Sequence, residues 1–167
     1  CFSFFPTKNL SCIGDGGLVT TNDKELCTKI RSLGEYGWDK KREARSIGVN
    51  SRLDELQAAI LNVKLRYLDR DNEDRRNIAK NYRSRVKNPL VRHPKEAGHQ
   101  YHVYHLYVIR VDKPRGRDDL IKYLRSRGIA CGIHYPLPVH KQEAYKKFVG
   151  NCKLTNTEAA AKNIISI

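Results

Sequence analysis

From Leu53 to Tyr67 the apolar residues fall at helical intervals. Leu53, Leu56, Ile60, Val63 and Tyr67 lie three or four positions apart, which places them in one stripe along one side of an α-helix. Just ahead, Ser51-Arg52-Leu53-Asp54 fits the capping-box pattern, with a side-chain oxygen at each end to satisfy amides of the first turn. An amphipathic helix gains most of its stability from burying its apolar side. The stripe therefore demands a packed partner surface.

The remaining elements alternate in type around that helix. Gly16 to Thr21 reads as a short strand leaving a glycine turn. Asn22 offers an N-cap, with Glu25 three residues on, for a helix whose face is Leu26, Ile30 and Leu33 and which Gly34 stops. Glu35 to Asn50 is polar and glycine-punctuated, a long loop. A charged helix is predicted from about Arg70 to Val86, ended by Asn88-Pro89. Tyr101 to Val111 alternates and is rich in Val, Ile and Tyr, so a strand is expected there. Pro114 and Gly116 suggest a turn. Leu120, Ile121 and Leu124 mark a helix that Gly128 terminates, and Ile129 to Ile133 reads as a short strand. His134 to Pro138 must be extended loop, because two prolines forbid a regular ladder. Glu158 to Ile165 is expected to be helical. The order is that of an α/β chain.

The 167 residues suffice for one domain or two small lobes. The chain begins with Cys, contains no Met, and ends where a helix runs toward a strand, so both ends read as cuts through a longer protein. No apolar stretch is long enough for a membrane span, and no signal peptide is visible. The five cysteines, Cys1, Cys12, Cys27, Cys131 and Cys152, are odd in number and form no CxxC pair. Reduced thiols in a cytoplasmic protein fit them better than zinc or a disulfide framework. The net charge of +14 suits a polyanionic partner as well as it suits a solvated basic surface.

The residues that carry chemistry start at Lys8. The run Ser3-Phe4-Phe5-Pro6-Thr7-Lys8-Asn9-Leu10, followed by Gly14-Asp15-Gly16-Gly17, sets one amine among aromatic and small residues before a glycine turn. Apolar surroundings lower the pKa of an amine and suit it to attack an aldehyde. The glycines lack both the Lys-Ser/Thr of a P-loop and the spacing of a dinucleotide fingerprint, so turn geometry accounts for them. Among the histidines, His102 and His105 lie three apart on an expected strand, on opposite faces, and His134 is remote in sequence. No metal site is expected from them.

The Lys8 segment with its glycines resembles the lysine segment of the DegT/DnrJ/StrS family of pyridoxal-phosphate-dependent nucleotide-sugar aminotransferases. Four further stretches match in the same order: Glu35-Tyr36-Gly37-Trp38, Asn50 to Ile60, His102 to Val108, and Gly132-Ile133-His134-Tyr135-Pro136-Leu137-Pro138. The resemblance implies a piece of a fold-type I transferase. Residues 1–65 would close the large cofactor-binding domain, and 66–167 would form most of the small C-terminal domain. Lys8 would hold pyridoxal 5'-phosphate through a Schiff base and then move the proton. A lysine here argues against the family's dehydratase branch, which has His at that place. Ser3 would donate to the cofactor phosphate, and Asn50 would reach the phosphate of a neighbouring subunit, two tasks for neutral donors. His134 and Tyr135 would come near the substrate.

The activity implied is transamination of a nucleoside-diphosphate ketosugar, dTDP-linked, with L-glutamate as donor, in a cytoplasmic homodimer with shared active sites. The Glu-Tyr-Gly-Trp variant resembles enzymes acting on 3-keto-6-deoxyhexoses, in polysaccharide or antibiotic sugar biosynthesis. The family's acidic partner of the pyridine nitrogen, its ring-stacking residue and part of its phosphate cup lie upstream of Lys8. The 167 residues alone are therefore expected to bind cofactor poorly and to be inactive. Two rivals remain: a non-catalytic or regulatory paralogue, and a basic nucleic-acid-binding module, which lacks an aromatic stacking platform.

Overall fold

A computed structural model describes residues 1–112 and 116–167, so Pro114 of the expected turn lies outside the described residues. By the density of its internal contacts the chain divides within a helix into two units, Cys1–Asn72 and Glu73–Ile167.

In the first unit, β1 (Phe2–Ser3) pairs antiparallel with β2 (Gly17–Leu18), Phe2 opposite Leu18 and Ser3 opposite Gly17. Helix α1 (Lys24–Gly34) follows. Its N-cap is Asp23 and not the expected Asn22: the Asp23 carboxylate accepts from the N–H groups of Glu25 and Leu26, at 2.9 and 3.0 Å. The segment from Glu35 to Asn50 is a closed loop, pinned at its base by a bridge between those two residues. Helix α2 (Glu55–Leu65) begins four residues after Ser51, and its N-cap Asp54 makes no side-chain bond to the first turn. The capping box is therefore not formed.

Nor does the apolar stripe face inward. Leu53, Leu56, Val63 and Tyr67 are exposed and only Ile60 of the stripe is half-buried, while a less exposed row runs through Gln57, Leu61 and Lys64, also at helical spacing. The reason is polar: residues 9–13 present donors and acceptors that need partners on α2, and Gln57 and Lys64 supply them.

Helix α3 (Leu68–Arg85) carries the unit boundary. The second unit holds a three-stranded antiparallel sheet in the order β3 (Val91–Arg92), β4 (Val108–Val111), β5 (Ile164–Ser166). Ile109 of β4 lies opposite Ile165 of β5, which is fully buried. Around them pack Ala79 of α3, Tyr104, Tyr107, Val111 and Ile121 of α4 (Gly116–Ser126). Gly128, at φ +74°, donates to the carbonyl of Arg125 and closes α4 as expected. Short 3-10 turns at Val139–Lys141 and Glu143–Tyr145 lead into α5 (Lys146–Val149) and α6 (Thr155–Asn163).

Two expected strands are corrected. Only Val108–Val111 of the run from Tyr101 is extended in a ladder. Ahead of it, Tyr104 sits at φ +44° with its N–H given to His102 Nδ1 at 2.9 Å. The arginines of α3 take the neighbouring carbonyls: Arg76 that of His102, Arg75 that of Tyr104, Arg83 that of Pro94. Side-chain donors thus replace a strand partner, and His102 and His105 do not share a strand. Ile129 to Ile133 reduces to one bridge, Gly132 with Ser166.

Glu96 ties this segment to α3. The Arg76 guanidinium donates to it at 2.6 Å and the His102 N–H at 2.8 Å, which together hold its carboxyl at about 2, down from the ordinary 4.5. A carboxyl depressed in the folded state stabilises the fold above its unfolded value and loses that contribution as pH falls through the folded one. Glu96→Gln should therefore flatten the loss of stability between pH 4.5 and about 2, measured by denaturant unfolding across that range. Ile165→Ala, which empties a fully enclosed site, should cost about 2–5 kcal/mol in the same measurement.

Candidate active site

The Lys8 segment is a short excursion held at both edges by backbone. Phe4 N–H donates to the Gly16 carbonyl and the Phe4 carbonyl accepts from Cys12 N–H, both at 2.8 Å. Between those points Lys8 N–H closes a turn onto the Phe5 carbonyl at 2.8 Å. Polar side chains from the helices fix the rest: Ile13 N–H donates to Gln57 Oε1 at 3.0 Å, Lys64 Nζ to Ser11 Oγ, and Asn9 Nδ2 to Asn72 Oδ1 at 2.8 Å. Ser11, Cys12 and Asn72 are buried. Lys8 is half-buried on this hydrogen-bonded base.

Glycine is required at the turn. A Cβ on Gly16 would lie 2.6 Å from Cys12 Sγ, and one on Gly17 would lie 3.0 Å from the Phe2 carbonyl oxygen. These close approaches let β2 run flush against β1, which is how Ser3 comes to line a groove of about 870 Å3. Arg52, Arg31, Asp15 and Gly17 line the same groove. Ser3 is exposed, and its Oγ accepts from Phe5 N–H at 3.4 Å. Among the described residues, Lys8 and Asn50 are not part of that lining.

Asn50 stands at the closing end of the 35–50 loop. Its Nδ2 donates to the Tyr36 hydroxyl at 2.7 Å, and its Oδ1 accepts from Arg52 Nε at 3.2 Å. Ser3, Lys8 and Asn50 all belong to the first unit. His134 and Tyr135 belong to the second. There His134 Nδ1 meets Ser166 Oγ at 2.9 Å, its ring lies against Gly132, and Tyr135 stands edge-on to it and is 70% exposed. Ser166 is buried and doubly bonded to the Gly132 backbone, so the histidine ring is anchored at one nitrogen.

Several of these supporting residues escape a sequence reading. Gln57 has a visible signal, its place in the row with Leu61 and Lys64. Tyr36 has a weaker one, since the following Gly37 permits a tight crossing. Nothing near Ser166 in sequence points to His134. Among the described residues no group of three or more His, Cys, Asp or Glu side chains could hold a metal ion, and no helix is long and apolar enough to cross a membrane.

The model of the DegT/DnrJ/EryC1/StrS aminotransferase family matches residues 1–167. The chain belongs to this family. It is 50% identical over 147 residues to a dTDP-3-amino-3,6-dideoxy-alpha-D-galactopyranose transaminase of Aneurinibacillus thermoaerophilus, covering 88% of this chain and 40% of that one. It is 44% identical over 170 residues to a pleiotropic regulatory protein of Geobacillus stearothermophilus, covering 99% and 45%. The crystal structure of S. venezuelae DesV in complex with a ketimine intermediate superposes with a TM-score of 0.88 at 40% identity, covering 99% of this chain and 44% of that one. The chain thus spans under half the length of the relatives it matches. The expected α/β fold, part of a fold-type I transferase, is borne out.

Gly16→Ala should destabilise the first unit by about 1–3 kcal/mol through overpacking. Gly14→Ala should cost less, because its Cβ would meet only the end of the Gln57 side chain, at 3.0 Å. Paired denaturant titrations of the two variants test the contrast.

Proposed function

We propose that the chain is part of a pyridoxal-phosphate-dependent aminotransferase that aminates a nucleoside-diphosphate ketosugar, dTDP-linked, with L-glutamate as donor. In this reading 1–65 belong to the cofactor-binding large domain and 66–167 to the small domain. The observation that carries the proposal is the rigid seating of Lys8, in a family whose relatives include a sugar transaminase 50% identical to this chain.

The donor set fits a phosphorylated aldehyde. It comprises one half-buried amine at Lys8, a neutral hydroxyl at Ser3 on the groove, and a neutral amide at Asn50. Pyridoxal phosphate, when bound, supplies an electron sink and carries the amino group. Lys8 Nζ would hold it covalently and, when displaced by the donor's amine, would carry the proton from the donor's α-carbon to the cofactor. Ser3 Oγ and Asn50 Nδ2 donate to the phosphate without adding charge. His134, held at Nδ1 by Ser166, keeps Nε2 for the substrate, and the exposed ring of Tyr135 offers a second contact. A surplus of lysine and arginine, 32 against 18 acidic residues, favours an anionic diphosphate substrate.

The exposed apolar residues Leu56 and Val63 of α2 and Tyr67 just after it support a homodimer in which a second copy covers them and brings its Asn50 to the neighbouring phosphate. In this reading the enzyme works in the cytoplasm. A second reading, a regulator that keeps the fold without the chemistry, is favoured by the regulatory name of the Geobacillus relative.

Adding L-glutamate to the full-length protein loaded with cofactor separates the two readings. A change in the cofactor's visible absorption is expected, and an unchanged spectrum would sink the transaminase reading. Lys8→Ala should slow that change by about 100- to 10,000-fold.

A further inference from the structure

The loop from Glu35 to Asn50 is built tightly around Tyr36. A Cβ on Gly37 would lie 1.8 Å from the Ser46 carbonyl oxygen, and one on Gly48 would lie 2.2 Å from the Gly37 nitrogen. The two arms therefore touch backbone to backbone. Tyr36 sits between them at φ +60°, with its N–H on the Val49 carbonyl at 3.0 Å and its ring 4.8 Å from that of Trp38. At the loop tip the Asp39 carboxylate accepts from the N–H groups of Glu43 and Lys41 and from Arg45 Nε, bonds that lower its pKa. A residue held this firmly can hold another.

Asn50 is what it holds. An amide presents an acceptor at one end and two donors at the other, and only its neighbours decide which way it turns. Arg52 Nε can only donate, so the amide oxygen must face it. The Tyr36 hydroxyl then takes one N–H of Nδ2, at 2.7 Å. One N–H remains, its direction set by these two bonds.

We propose that Tyr36 and Arg52 are positioning residues that lock the Asn50 amide with its donor end presented to the cofactor phosphate. The inference rests on the reading of Asn50 given above. An unlocked amide would spend part of its time with its oxygen toward the anion, where it repels. A locked one is a donor at all times, and no ordering cost remains for binding to meet.

The test is a binding titration of the full-length apoenzyme with pyridoxal 5'-phosphate and, separately, with pyridoxal. Tyr36→Phe keeps the ring on Trp38 and removes only the hydroxyl. It should weaken pyridoxal 5'-phosphate by roughly two- to tenfold, the worth of one hydrogen bond, and leave pyridoxal unchanged. Asn50→Ala should do the same or more, and the double variant should bind no worse than Asn50→Ala alone. Equal weakening of both ligands, or additive losses in the double variant, overturns the positioning role. So does a Tyr36→Phe protein that binds like wild type while Asn50→Ala is impaired. Unchanged binding in Asn50→Ala instead overturns the reading of Asn50 itself. Arg52→Leu runs the same cycle from the carbonyl side and stands in should Tyr36→Phe fail to fold.

Discussion

The lysine segment depends on a row of polar side chains at helical spacing. Gln57 and Lys64 of α2, followed by Asn72 in the first turns of α3, meet Ile13, Ser11 and Asn9 in turn. A reactive amine needs a backbone that does not yield when the amine forms and breaks bonds. Apolar packing alone would leave the N–H and hydroxyl groups of residues 9–13 without partners, and burying them so is costly. The polar row resolves both demands at once. It explains why the inward side of α2 is partly hydrophilic while Leu56 and Val63 lie outside.

A similar substitution of side-chain donors for strand partners shapes the second unit. Arg75, Arg76 and Arg83 of α3 reach carbonyls between Pro94 and Tyr104, and Glu96 closes the set onto Arg76. The segment is thereby fixed without belonging to a sheet. The β-rich composition that suggests a strand from Tyr101 is instead spent on the core, where Tyr104 and Tyr107 are buried with Ile109 and Val111.

The sequence was legible where local rules act alone. Helix α1 ends at Gly34 and α4 is closed by Gly128, because a left-handed or side-chain-free position stops a helix whatever surrounds it. It was less legible where a distant partner decides. Periodicity finds the apolar stripe of α2 but cannot say that residues 9–13 claim the adjacent face. The bond from Ser166 to His134 spans 32 positions and leaves no local trace. For the candidate site, Ser3, Lys8 and Asn50 could be singled out as residue types at family spacing, whereas of their hydrogen-bonded neighbours only Gln57 and, more weakly, Tyr36 leave a sequence signal.

The acidic residues show how a strongly basic chain stays ordered. Several carboxylates are committed to internal ties: Asp39 at the loop tip, Glu96 on Arg76, and Glu158 between His140 and Lys141. The Glu158 carboxyl is held at about 2, first by His140 and then by Lys141. Each such pair cancels one acid against one base, so the net charge of +14 resides on the lysines and arginines left over. The field outside the protein is positive, and it reaches about 8 Å at physiological salt. For a substrate carrying a diphosphate, such a field raises the rate of encounter without contributing to the discrimination of one sugar from another. On the proposed reading that discrimination would fall to short-range contacts such as those of His134, anchored through Ser166, and of the exposed Tyr135.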